Sequence, residues 1–156
     1  LEMIQAAITN VPGLTVDDRE LRRGGISYTV DTLHSLREEY PQRSLCLILG
    51  MDAFISLPQW HQWELLIIYA HLLIVHRPGQ FLPTIHQMRD FLHAHRTYDL
   101  HELQSQPAGL IFMAEIPALT ISASQIRALI AADRSPRYLL PFAVLEIIRH
   151  YQIYGN

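Results

Sequence analysis

The stretch Leu45-Cys46-Leu47-Ile48-Leu49-Gly50-Met51-Asp52 decides the fold. A short apolar run closed by a glycine reads as a strand, and its apolarity on both faces predicts a central strand with helices above and below it. Working outward, further short aliphatic or β-branched runs bounded by turn residues lie at residues 15–17, 72–76 and 111–114. Helix-like periods fill the spaces between them, at residues 29–40, 60–69, 84–95, 122–132 and 141–151. In the first of these, Val30, Leu33, Leu36 and Tyr40 share one face. Strands alternating with helices predict an α/β domain built on a parallel sheet with crossover helices. Residues 78–107 carry the weakest pattern, with Pro83 and several histidines, and read as a variable surface excursion. The opening Leu1-Glu2-Met3-Ile4-Gln5-Ala6-Ala7-Ile8 reads as the middle of an amphipathic helix with no capping residue before it, so a chain truncated at its N-terminus is expected.

The 156 residues, 49% of them apolar, suffice for one domain with a proper core, and residues 1–156 are read as a single domain. Twelve basic against fifteen acidic residues give a net charge of -3, which excludes a broad cationic surface for a nucleic-acid backbone. A small anionic ligand needs only a local positive pocket. No stretch approaches the eighteen or so uninterrupted apolar residues of a membrane span, and the first residues form no signal peptide. Cys46, the single cysteine, is expected to be a buried thiol in its apolar run, and such usage fits a reducing cytoplasm.

Ligands of open α/β sheets gather at the carboxyl ends of the strands. Gly50-Met51-Asp52 follows the central run at that edge, and Arg77 follows residues 72–76 in the same way. Asp52 suits either a ribose hydroxyl or a helix cap. Ile121-Ser122-Ala123-Ser124-Gln125-Ile126-Arg127 leads from a polar turn into a helix. Ser122 is either a plain N-cap or, with Ser124 and Arg127, part of a phosphate site formed with the unpaired N–H groups of the helix start. Ser27-Tyr28-Thr29 precedes the helix at 29–40, where Ser27 or Thr29 acts as its cap or the N–H groups of Thr29 and Val30 hold an anion. Gly24-Gly25 ahead of it allows close approach of the backbone to a ligand. In Pro58-Gln59-Trp60-His61-Gln62-Trp63 the two indoles fall on about the same side of a helix start. Trp63 reads as core, whereas Trp60 is either core or a stacking face for a flat heterocycle. Nine histidines, including His93-x-His95 and His101, offer no recognisable zinc spacing, and no nucleophile with a paired base stands out.

Taken in order, residues 22–33, 47–52, 60–64, 76–79 and 121–127 resemble bacterial nicotinate mononucleotide adenylyltransferases, members of the nucleotidyltransferase superfamily. The resemblance covers nearly the whole chain and implies a Rossmann-like, doubly wound parallel sheet, here incomplete at its N-terminus. It implies transfer of AMP from ATP, with Mg²⁺, to nicotinate mononucleotide, giving deamido-NAD and pyrophosphate. By match to the family's motifs, Trp60 stacks on the pyridine ring while the N–H groups of Val30 and His61 meet the nicotinate carboxylate. Gly50 and Asp52 contact nucleotide, Ser122, Ser124 and Arg127 line the triphosphate pocket, and Arg77 takes a basic position near the bound nucleotides.

One departure stands out. The family opens with a first strand and a Gly-rich turn bearing H-x-G-H, whose histidines bind the triphosphate, and nothing in these residues matches it. His61 belongs to the Trp60 motif and His93-x-His95 lacks the glycine, so no catalytic histidine is assigned. On the size of a complete doubly wound sheet, roughly fifty to sixty residues are expected to be missing. Two rival readings remain at this stage. One is an adenylyl- or cytidylyltransferase for another phosphate acceptor, which a substrate screen separates; the other is a non-catalytic nucleotide-binding module, which an upstream H-x-G-H would exclude.

Overall fold

A computed structural model describes residues 1–77, 86–117, 119 and 121–155. The chain divides into two compact units, Arg23–Ala118 and Leu1–Arg22 with Leu119–Asn156.

The first unit holds the sheet. Strands β1 (Cys46–Gly50), β2 (His71–His76), β3 (Arg96–Thr97) and β4 (Ile111–Glu115) are all parallel, in the order β1-β2-β4-β3. Leu72 and Ile74 of β2 and Ile111 of β4 are fully buried, as aliphatic side chains at the centre of a parallel sheet must be. Helix α3 (Thr29–Glu39) lays Val30 and Leu33 on this core, with Leu36 packed beside them, so the spacing read from the sequence is the packed face. Helix α4 (Met51–Ser56) adds Met51 and Phe54, and the 3₁₀ turn Leu57–Gln59 adds Leu57.

The amino ends of the strands are tied together by polar side chains. Arg37 of α3 donates to the carbonyls of Tyr69 (2.6 Å from Nη2), Pro107 (2.6 Å) and Arg43 (2.7 Å), residues that lead into β2, β4 and β1 respectively. His71 is fully buried at the start of β2; its Nε2 donates to the Gln106 carbonyl (2.9 Å) and its Nδ1 accepts from the Leu110 N–H (3.1 Å). These bonds satisfy backbone groups where the chain turns into the sheet, and the Pro107 carbonyl also accepts from the Leu45 N–H (3.1 Å).

The second unit is helical. Helices α1 (Glu2–Ile8), α8 (Ala123–Ala131) and α9 (Phe142–His150) belong to it, α1 packs on α9, and Leu145 and Ile148 of α9 are buried. No described helix is long and apolar enough to cross a membrane.

Several expectations need correction. Residues 15–17 form no strand; Asp17 instead accepts from the backbone N–H of Arg19 (2.9 Å) and from its Nε (2.7 Å), starting the short helix α2 (Arg19–Arg23). That backbone bond, aided by the guanidinium, holds the Asp17 carboxyl below its ordinary pKa. β1 is an edge of the described sheet, and one of its faces is open as well: Leu49 is buried while Ile48 is 62% exposed. Cys46 shares the open face and is exposed, not buried.

Residues 60–69 are no continuous helix. Gln62 adopts a left-handed conformation (φ 48°), followed by the 3₁₀ turn Trp63–Leu65 and the short α5 (Leu66–Tyr69). Trp60 and Trp63 are thereby split, and Trp63 packs edge-on against Phe91 at 5.0 Å. The region taken as a surface excursion contributes α6 (His86–His95), whose Met88 and Leu92 are buried, then β3 and the short α7 (Glu102–Ser105). The beginning of the predicted helix at 84–95, with Pro78 and Gly79, lies outside the described residues.

Candidate functional site

With the amino ends of the strands tied by Arg37 and His71, the carboxyl ends carry the residues of interest. β1 and β2 are in register at Gly50 and Val75, and β2 and β4 at His76 and Glu115, so Gly50-Met51-Asp52 and Arg77 emerge along one edge. Gly50 caps α4 with φ -71° and ψ 158°, a conformation open to any residue. A Cβ added there would meet nothing within 4 Å, which leaves the backbone open to a close neighbour. Asp52 sits exposed in the first turn of α4, so the cap reading gives way: Gly50 occupies the cap position and no side chain bonds there. Arg77 is exposed directly after β2.

A cavity of the sheet unit has a volume of about 280 Å³ and is lined by Ser27, Tyr28, Thr29, Gln59, Trp60 and His61. Such a volume suits one heterocycle and its substituents rather than a whole dinucleotide, since pockets for drug-sized ligands span roughly 300–1,000 Å³. One wall is the start of α3. Tyr28, not Ser27 or Thr29, holds the cap position, and no side chain caps the helix. The Tyr28 carbonyl accepts from the N–H groups of Asp31 (3.1 Å) and Thr32 (3.3 Å), which leaves those of Thr29 and Val30 ahead of the first helical bonds. Arg23 fixes this turn, its Nη2 donating to Thr32 Oγ1 at 3.1 Å. Gly24 (φ +67°) and Gly25 (φ +73°) supply the left-handed bend that precedes it.

The opposite wall is Gln59-Trp60-His61. Trp60 ends the 3₁₀ turn, donating its N–H to the Leu57 carbonyl at 2.9 Å, and its indole is half-buried against the core. Trp60 thus packs against the core and also lines the cavity, as an aromatic stacking platform would. His61 is exposed, with its ring 4.2 Å from that of Tyr28 across the cavity and tilted by 31°. Thr29, Trp60 and His61, read separately from the sequence, are thus brought to one hollow, whereas the Val30 side chain is buried in the core and does not line it. Tyr28 and Gln59 line it as well; their places beside Thr29 and Trp60 were the available signal.

Ser122, Ser124 and Arg127 are all exposed and belong to the helical unit. Ser122 is the N-cap of α8, its Oγ accepting from the Gln125 N–H at 3.1 Å, so the capping reading is correct for it. Arg127 Nη2 donates to Ser124 Oγ at 3.2 Å, one helical turn away. These bonds gather two hydroxyls and a guanidinium at a helix start, the donor set of a phosphate site. A larger hollow in this unit, about 480 Å³ between α8 and α9, contains none of these residues. Among the described residues no group of three or more His, Cys, Asp or Glu stands ready to hold a metal ion.

Comparison with known proteins joins these observations. Residues 1–129 match the cytidylyltransferase-like family. A "probable nicotinate-nucleotide adenylyltransferase" of Aeromonas salmonicida is 42% identical over 154 residues, covering 99% of this chain and 72% of the relative. One of the same description from Marinobacter nauticus is 44% identical over 156 residues, with 99% and 72% covered. The chain belongs to the nicotinate-nucleotide adenylyltransferase family. The fold of this adenylyltransferase homologue also superposes on a solved Plasmodium falciparum nicotinic acid mononucleotide adenylyltransferase complexed with APC, at a TM-score of 0.67. That match covers 97% of this chain and 72% of the other at 17% identity, which speaks for the shared α/β fold alone.

Proposed function

We propose that this adenylyltransferase homologue handles the transfer of AMP from ATP to nicotinate mononucleotide, which yields deamido-NAD and pyrophosphate. The observation that carries the reading is the cavity of the sheet unit, where a core-packed indole and two separate segments with backbone donors meet. In this reading Trp60 stacks on the pyridine ring, and the N–H groups of Thr29 or Val30 and of His61 donate to the nicotinate carboxylate. Gly50 gives the nucleotide room at the sheet edge, Asp52 accepts from ribose hydroxyls, and Arg77 adds positive charge beside them. Ser122, Ser124 and Arg127 take the triphosphate, and Mg²⁺ enters as part of the ATP substrate. The reading carries the cytoplasm as the compartment. Relatives of the same description, at 38–44% identity, support the choice of acceptor.

Nucleotidyl transfer depends on positioning and on stabilising the charge of the phosphates. The family's H-x-G-H occurs nowhere in the 156 residues. The polypeptide as it stands is therefore proposed to bind the acceptor while turning over little. Calorimetric titration with nicotinate mononucleotide, its amide and phosphopantetheine, alongside pyrophosphate release with ATP and Mg²⁺, tests both parts. Binding selective for nicotinate mononucleotide is expected. Failure to bind it overturns the acceptor assignment, and release at ordinary enzymatic rates of about 1–10³ s⁻¹ overturns the need for the histidine turn.

A further inference from the structure

A carboxylate held by donors from two segments is held well only if the segments keep their spacing. Residues 27–29 open α3, whereas residues 59–61 close a 3₁₀ turn beyond β1 and α4. Between these two walls the ring of Tyr28 lies against the ring of His61, at 4.2 Å. Each ring is attached to the donors concerned. Tyr28 is the cap residue directly before the Thr29 and Val30 N–H groups, and His61 bears the third N–H on its own backbone. Gln62, left-handed at φ 48°, turns the chain immediately after His61.

We propose that Tyr28 is a positioning residue that sets the pocket's preference for a carboxylate over a carboxamide, acting through its ring contact with His61. This rests on the acceptor reading above. A carboxylate has two acceptor oxygens and profits from donors on both walls. A carboxamide offers one acceptor and an NH₂ that cannot face an N–H. When the walls drift apart the carboxylate loses a charge-assisted bond, and the amide has little to lose.

The test is calorimetric titration of the 156-residue chain with nicotinate mononucleotide and with its amide, for wild type, Tyr28→Phe, Tyr28→Ala, His61→Ala and the Tyr28→Ala/His61→Ala double variant. Loss of one charge-assisted bond predicts roughly tenfold weaker binding of the acid by Tyr28→Ala, against less than about threefold for the amide. Tyr28→Phe keeps the ring and should stay within about twofold of wild type for both ligands. Because the two rings act as one unit, the double variant should bind the acid no worse than the weaker single variant. Equal losses for acid and amide, or losses that add in the double variant, overturn the proposal. Should Tyr28→Ala unfold, His61→Ala against Tyr28→Phe decides the same question, since unchanged acid preference in His61→Ala is incompatible with it. A wild-type chain that binds neither ligand overturns the acceptor reading itself, and the positioning role with it.

Discussion

Arg37 donates from both Nε (3.1 Å) and Nη2 (2.6 Å) to the carbonyl oxygen of Tyr69, thirty-two residues further along the chain. The same guanidinium reaches Pro107 and Arg43, so one side chain ties the approaches to β1, β2 and β4. Lysine keeps the charge but is a point donor without the planar fork. Arg37→Lys should therefore destabilise the fold by about 3 kcal/mol, lowering Tm by roughly 6–12 °C for a chain of this size. A thermal melt within about 2 °C of wild type would remove Arg37 from this role.

Trp60 is packed on one side by the core, and its assigned work is done by the ring. Trp60→Ala should weaken nicotinate mononucleotide binding by about 1–3 kcal/mol, roughly 5- to 150-fold, with ATP binding little changed. Trp60→Phe, which retains an aromatic face, should recover much of the loss. Equal weakening toward both ligands would show that the indole is only a structural prop.

The start of α8 allows its capping and ligand roles to be separated. Ser122 Oγ caps the helix, so Ser122→Ala should cost about 1 kcal/mol of stability whether or not ATP is present. Ser124 is exposed and bonded to Arg127, so Ser124→Ala should leave stability within about 0.5 kcal/mol. In the proposed reading it nevertheless weakens ATP binding, as does Arg127→Lys, which loses bidentate geometry while keeping its charge. Denaturant melts set beside ATP titrations check the split. An Arg127→Lys variant with wild-type ATP affinity would sink the phosphate role.

What was legible in the sequence follows the range over which each signal acts. The aliphatic runs at 72–76 and 111–114 and the Val30, Leu33, Leu36 stripe depend on neighbours a few residues away, and they fold as read. The two-residue β3 is too short to show a period, and the break after His61 falls on Gln62, a residue that does not advertise a left-handed turn. The face of Ile48 was misread because apolarity alone does not tell an edge strand from a central one. Arg37 and His71 were invisible, since their partners are carbonyl and amide groups that every residue possesses, brought near only by the fold. At the site, the segments around Thr29 and Trp60 were each recognisable. Their meeting across one cavity, and the ring contact between Tyr28 and His61, were not.

Gly50 offers the sharpest separation of binding from folding. Its φ of -71° needs no glycine, and an added Cβ meets nothing within 4 Å in the free chain. Gly50→Ala should consequently change stability by less than about 1 kcal/mol, even gaining a little through a less flexible unfolded chain. If the nucleotide lies against the Gly50 backbone, the same methyl group intrudes on it, and affinity should fall by roughly tenfold or more while the melting curve stays in place. Paired melts and nucleotide titrations of the variant give the answer. Wild-type affinity would mean that the ligand does not approach the end of β1, whereas a large loss of stability would mean that the open space above Gly50 is filled in the protein.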